Sequence, residues 1–197
     1  PVYCYKSFDP LKMDNTHFHD DPDMIVKNRA YGYSPSKNGG YKIDILRLKV
    51  IGDLGVFTTV EDFLKWDKNF YNNKLGQGTQ DLIKTMTQRG KLNDGKEITY
   101  ALGLNTENYR GLKTRSHGGS AVGYRAEYIQ FPDQKFSIVI LSNLSHFPTG
   151  RIARKIADLY LEDKLTEPPP QSQRQQRFEK RSEPISLPLS QLKEYEG

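Results

Sequence analysis

Along the chain, apolar and polar positions alternate with a period that switches from helical to extended, and the switches mark out the elements. Residues 1–50 show no sustained period. Pro10, Pro22, Pro35 and the pair Gly39-Gly40 break them into loop with short pieces of structure. From Thr59 to about Asn73 the spacing predicts a helix: Thr58 or Thr59 caps it, Glu61 and Asp62 suit its first turn, and Val60, Phe63, Leu64, Phe70 and Tyr71 form an apolar stripe that Trp66 extends into the core. A shorter helix is expected over 80–88, stopped by Gly90, with Leu82, Ile83 and Met86 inward. Residues 98–104 alternate as a strand. A β-hairpin then follows: one strand opens near His117-Gly118-Gly119, Arg125 to Phe131 is extended, Pro132-Asp133-Gln134-Lys135 is turn chemistry, and 136–143 is a second β run. A last helix is expected from about Thr149, as cap, to Asp163, with Ile152, Ile156, Leu159 and Tyr160 toward the sheet. These elements predict an α+β domain, an antiparallel sheet whose packed helices cover one face.

The pattern changes after residue 165. Glu167-Pro168-Pro169-Pro170 followed by a Gln/Arg-rich run reads as a linker over 166–184, stiff and then solvated, and 185–197 reads as the start of a truncated following domain. Much of the low mean hydropathy, −0.73, comes from this tail. The 197 residues, 36% of them hydrophobic, suffice for one core, assigned to 1–165. Cys4 is the single cysteine, which excludes an internal disulfide, and it has no partner signature of a nucleophile. The net charge of +5 is interspersed, without an aromatic-plus-basic platform, so no nucleic-acid partner is expected; it fits solubility and an anionic substrate or envelope surface. No stretch has the length and apolarity of a signal peptide or a membrane span.

The candidate chemistry sits in the hairpin. Gly118 and Gly119 leave a strand face bare, so that another backbone or a substrate can come close. On the tripeptide alone, a strand histidine beside a glycine bulge is the simpler reading. Four more segments, in order, change that: Pro10-Leu11-Lys12-Met13-Asp14-Asn15-Thr16-His17-Phe18, Asn28-Arg29-Ala30-Tyr31-Gly32-Tyr33, Gly52-Asp53-Leu54-Gly55-Val56-Phe57-Thr58-Thr59-Val60-Glu61-Asp62-Phe63-Leu64-Lys65-Trp66, and Leu141-Ser142-Asn143 before the last helix. Together they resemble the penicillin-recognising serine hydrolases (class C β-lactamases, D-alanyl-D-alanine peptidases and esterase-like relatives) over roughly residues 8 to 163. Lys12 departs from that pattern, which has glycine there.

The resemblance implies a β-lactamase/transpeptidase-like fold, incomplete here because its N-terminal strand and nucleophile-bearing helical region lie upstream. It implies an acyl-enzyme mechanism on a small-molecule or peptide substrate with an acyl bond, no cofactor, and an extracytoplasmic location. His117-Gly118-Gly119 takes the place of the family's third active-site motif. His117 then orients substrate and tunes proton transfer, Gly118 and Gly119 let the acyl group lie along the strand, and the backbone N–H of Ser120 supplies half of an oxyanion hole. Arg125 is a candidate for an anionic substrate group or for a cross-strand ion pair. The family's Ser-x-x-Lys nucleophile and Tyr-x-Asn are expected upstream, so the chain, read as a C-terminal portion opening on Pro1, is expected to carry no nucleophile and to be inactive alone.

Ser34-Pro35-Ser36-Lys37 and Tyr71-Asn72-Asn73 spell those two motifs formally. A lysine-activated serine needs both side chains one helical turn apart near a helix N-terminus, and Asn38-Gly39-Gly40 denies the first motif a helix. Ser190-Gln191-Leu192-Lys193, a third match, lies in the tail. His17-Phe18-His19-Asp20-Asp21 invites a metal reading, but the two histidines are expected to point apart on a solvated loop, and no metal site is assigned. Two other readings stay open: a non-catalytic ligand-binding or sensing module of the same fold, and an interaction domain that binds through its C-terminal linker.

Overall fold

The computed structural model describes residues 4–47, 52 and 54–168. Most of the linker and all of the expected following segment, 185–197, lie outside the described residues. The chain divides into two units, 1–166 and 167–197, and the helices and strands of the described residues lie in the first.

After a π-type turn at Cys4–Phe8 come β1 (His17–Phe18), β2 (Tyr33–Pro35), β3 (Tyr41–Ile43) and β4 (Val56–Phe57), then helices α1 (Val60–Asn69) and α2 (Asp81–Thr87). Strands β5 (Asn105–Tyr109), β6 (Leu112–Ala121), β7 (Tyr124–Phe131) and β8 (Phe136–Ser142) lead into α3 (Thr149–Tyr160). β5 to β8 form one antiparallel sheet in sequence order, while β1 pairs with β4 and β2 with β3.

The sheet is a meander because each connection is a tight turn. Arg110 and Gly111, at φ 50° and 86°, give β5–β6 the doubly left-handed two-residue turn that matches strand twist. Val122 and Gly123 join β6 to β7, and Gly123 must be glycine: a Cβ there would lie 2.4 Å from the Tyr33 nitrogen and 2.5 Å from the Asp44 carbonyl oxygen. The 30–44 segment therefore rests on this turn, and the Tyr124 hydroxyl donates to the Ala30 carbonyl at 2.9 Å.

Alternation along β7 divides the core between two faces. Ile129 and Phe131 join Leu112, Ile138, Ala153, Ala157 and Leu161. Ala153 and Ala157 have no exposed surface and, one turn apart, let α3 lie close on the sheet. Tyr128, the residue before Ile129, points the other way, to Phe70, Ile83 and Leu104 with Phe63, Trp66 and Met86. Full burial of a side chain such as Phe131 is worth roughly 1.5–3 kcal/mol. Helices thus cover both faces, not one, because both alternating sets of β7 and β8 are apolar enough to need a partner.

Two buried carboxylates fasten α1. Asp62 accepts from the Asn15 N–H at 2.7 Å, the Thr16 hydroxyl at 2.9 Å and Lys65 Nζ at 2.9 Å. Burial alone would raise its pKa, and these donors lower it below the ordinary value. Asp67 Oδ1 accepts from the Tyr128 hydroxyl at 2.7 Å, Gln130 Nε2 at 2.9 Å and the Ser137 hydroxyl at 2.6 Å, tying the helix across β7 and β8.

Several expectations need correction. Thr59 caps α1, its hydroxyl accepting from the Asp62 N–H, but the helix stops at Asn69, and Val60, Leu64 and Tyr71 of the expected stripe are exposed while Phe63, Trp66 and Phe70 face the core. Residues 98–104 hold no strand; Gly103 at φ 79° turns the chain, and Tyr100 only bridges Asn105. Leu82 is exposed on α2. α3 ends at Tyr160; Thr149 is its first residue rather than its cap, and the helix buries Ala153 and Ala157 while Leu159 and Tyr160 lie exposed.

Candidate active-site edge

β6 outruns its neighbour. β5 pairs with it only from Leu112 to Ser116, whereas β7 accompanies it to Ala121. Among the described residues, 117–121 therefore have a strand on one side and none on the other. The two-residue turn makes Tyr109 and Leu112 a doubly hydrogen-bonded pair, so even-numbered residues of β6 direct their N–H and C=O groups toward β5. Consistently, the Thr106 N–H, opposite odd-numbered Arg115, turns away from β6 to the Thr99 carbonyl at 2.7 Å. Beyond Ser116 the same alternation leaves the backbone groups of Gly118 and Ser120 at the open edge. No bulge interrupts the register, so His117 sits within a ten-residue strand rather than at its start.

His117 pairs with Tyr128 and so shares the α1 face. Its Nε2 lies 3.0 Å from the Tyr100 hydroxyl. The rings are 6.0 Å apart and tilted by 57°, so they meet through the hydroxyl rather than by stacking. Tyr100 stands on a pinned turn: its carbonyl accepts from the Gly90 N–H at 2.9 Å, the Ala101 N–H reaches the Leu104 carbonyl at 2.7 Å, and the Leu102 N–H reaches the Met86 carbonyl at 3.3 Å. Tyr100 is the site residue that sequence reasoning missed. Gly103, a turn residue inside a short alternating run, was the signal against a strand there.

Gly118 faces the α3 side, where Glu127 is its cross-strand partner. A Cβ on Gly118 would lie 3.1 Å from Glu127 Oε2, and one on Gly119 3.2 Å from the Ala126 Cβ. Burial raises the pKa of Glu127, an effect that the nearby Arg154 guanidinium opposes.

The remaining sequence candidates scatter. The Ser120 side chain and Arg125 are paired across β6–β7 on the α3 face, opposite to His117, and Arg125 donates to the Val122 and Tyr124 carbonyls of the turn at 3.0 and 2.6 Å. Ser34 lies on β2 with its hydroxyl bonded to the Asp44 carboxylate, and a turn closes Ser36 to Gly40, so no helix carries Ser34 and Lys37. Asn73 is buried, its amide bonding the Leu75 and Thr79 carbonyls as a loop clamp.

The histidine pair departs from its expected solvated loop. His17 and His19, two apart on an extended segment, share one face: their rings are 5.8 Å apart, His19 stacks on Phe57 at 4.2 Å, and His19 is only 1% exposed. Burial lowers the pKa of both. Among the described residues no group of three or more His, Cys, Asp and Glu could hold a metal ion, and no helix is long and apolar enough to cross a membrane.

The family model described as Beta-lactamase matches residues 6–162. The D-aminopeptidase of Brucella ovis is 24% identical over 122 residues, 62% of this chain and 23% of that protein. The D-aminopeptidase of Gluconobacter oxydans is 23% identical over 146 residues, 74% of this chain and 27% of that protein. Among solved structures, the octameric penicillin-binding protein homologue from Pyrococcus abyssi superposes with TM-score 0.70 at 24% identity, covering 83% of this chain and 39% of that one. A D-stereospecific amidohydrolase from Streptomyces sp. gives 0.58 at 15% identity, covering 79% of this chain and 46% of that one. The chain thus spans about a quarter of the length of these curated relatives.

Proposed function

The chain belongs to the beta-lactamase family, and from that premise we propose that it forms one wall of the cleft of a serine hydrolase that cleaves acyl bonds through an acyl-enzyme. The observation that carries this reading is the open edge of β6, where an extended acyl substrate can lie antiparallel to 117–121 and hydrogen-bond to the backbone of Gly118 and Ser120. The Ser120 N–H is one donor of the oxyanion hole, and such a preorganised donor is worth about 3 kcal/mol in the transition state. His117, on the α1 face of the same edge, orients the substrate. The relatives' D-aminopeptidase activity supports an amide beside a D-configured residue as the substrate class. Arg125 has no part in this reading, because its guanidinium serves the turn on the other face.

The nucleophile comes from sequence outside this chain, since Ser34 is on a strand and bonded to Asp44. The working protein is extracytoplasmic, and this chain alone turns nothing over. Intact-mass labelling with a fluorophosphonate and a fluorescent penicillin, on this chain and on a longer polypeptide that includes a Ser-x-x-Lys segment, tests the reading. The expected result is labelling of the longer form alone. Labelling of neither would favour a non-catalytic binding module, and labelling of this chain that is lost in Ser34→Ala would overturn the assignment.

A further inference from the structure

From the contact between Tyr100 and His117 we infer that the Tyr100 hydroxyl is the donor to Nε2 and holds the imidazole as its Nδ1–H tautomer. Tyr100 is on this account a positioning residue for His117. Three observations lead there. The hydroxyl and Nε2 are 3.0 Å apart, and this is the single hydrogen bond of either side chain among the described residues. The turn under Tyr100 is fixed by backbone bonds to Gly90 and Met86 and by the Ala101–Leu104 closure, with Ala101 and Leu104 buried, so the phenol is brought to the ring by the main chain. The main chain of His117 is equally fixed, in the middle of a strand paired without interruption to β7.

The direction of the bond follows from chemistry. A neutral imidazole offers one N–H and one lone pair, whereas a phenol is a strong donor whose oxygen is a poor acceptor, its lone pair being delocalised into the ring. Donation from the hydroxyl to an Nε2 lone pair is therefore the better match, and it forces the ring proton to Nδ1. Free imidazole side chains prefer the Nε2–H form, so this tautomer has to be imposed, and Tyr100 is the group in position to impose it.

The consequence for substrate rests on the function proposed above; the tautomer itself does not. With Nε2 engaged, the proton that His117 can still offer is on Nδ1. His117 then acts beside the edge as a neutral hydrogen-bond donor to an acceptor on the substrate, and Nε2 is not free to take a proton from a nucleophile.

Long-range 1H–15N correlation spectra of the 15N-labelled chain, recorded well above the ordinary histidine titration range, read the tautomer directly. Four histidines make the assignment simple. The expected wild-type pattern for His117 is a pyridine-like Nε2 and a pyrrole-like Nδ1. In Tyr100→Phe the pattern should invert toward Nε2–H, while the ring signals of His17, His19 and His146 and the backbone amide spectrum stay in place. An Nε2–H pattern in the wild type would overturn the inference without any variant, so a failure of Tyr100→Phe to fold leaves it testable. An unchanged tautomer in a folded Tyr100→Phe would overturn it too. Neither outcome depends on whether the chain, or a longer form, can be acylated.

Discussion

Replacing Asp67 by alanine should be the most damaging single change on the α1 side of the sheet. One carboxylate oxygen accepts three hydrogen bonds, from Tyr128 at 2.7 Å, Gln130 at 2.9 Å and Ser137 at 2.6 Å, and Asp67 and Gln130 are 7% and 0% exposed. A hydrogen bond to a charged group contributes about 1.5–3 kcal/mol net. Simple addition would give more than the site can lose, because the three donors share one acceptor and Ser137, half-buried, can turn to water. Leaving the Tyr128 hydroxyl and the Gln130 amide buried without an acceptor costs about 1–3 kcal/mol each, and the expected total is about 4 kcal/mol. That is a large part of a domain stability of roughly 5–15 kcal/mol. With a urea m-value of about 2 kcal/mol/M, the midpoint should fall by about 2 M at unchanged slope. Tyr128→Phe in the Asp67→Ala background should then regain about 1–3 kcal/mol, since it removes a buried hydroxyl left without an acceptor. A midpoint shift below about 0.5 M, or Tyr128→Phe costing the same in both backgrounds, would refute the idea that this carboxylate anchors α1 to the strand that carries Tyr128 opposite His117.

Three further outcomes are expected. Burial lowers the pKa values of His17 and His19, opposed by Asp20 and, at His19, by Asp21, and reinforced at His19 by Arg29; the unfolded chain therefore binds these protons first, and stability is full above pH 6.5 and falls as the pH drops below it. His19→Phe should flatten that limb of a stability-versus-pH curve, and an unaltered limb would remove the histidines as its cause. Lys12 holds φ 58°, a conformation that costs a side-chain-bearing residue roughly 1–2 kcal/mol, part of which glycine's greater unfolded-state freedom cancels, so Lys12→Gly should raise stability by about 0.5 kcal/mol in urea titrations, and a loss would count against strain at that turn. Gly118→Ala puts a methyl 3.1 Å from Glu127 Oε2, the end of a flexible side chain that can give way, and alanine gains about 0.5–1 kcal/mol over glycine in a strand, so stability should not fall; a loss that Glu127→Ala relieves in a double-mutant cycle would show instead that Glu127 is held in place.

How much of this was legible in the sequence depends on what each element needed from afar. The β7–β8 hairpin and α1 were readable because their signals are local: a Pro-Asp turn between two apolar runs, and a threonine cap ahead of acidic residues. Residues 98–104 misled because alternation over seven residues describes a strand only if a neighbour pairs with it, and Gly103 instead folds the chain back to bring Tyr100 to His117. The α3 stripe misled for a related reason. Of the large apolar residues assigned to the sheet, Ile156 packs there as expected, but the closest approach is made by Ala153 and Ala157, while Leu159 stays outside and Tyr160, though exposed, reaches only to stack on Phe136.

The site shows the same division. His117, Gly118, Gly119 and Ser120 could be named from one motif, yet what makes them an edge is the early end of β5, a property of a different segment and of a turn length. Strand parity then sorts the candidates: odd positions of β6 put His117 with α1, even ones put the Ser120 side chain with Arg125 on the far face, and only the Ser120 backbone remains at the edge. At this edge, therefore, the residue name in the motif matters less than its main chain. Ser120→Ala should leave substrate binding along β6 intact, whereas Ser120→Pro, which removes the N–H, should abolish acylation of the longer polypeptide. A Ser120→Ala variant as impaired as the proline variant would shift the role from the backbone to the hydroxyl and contradict the parity argument.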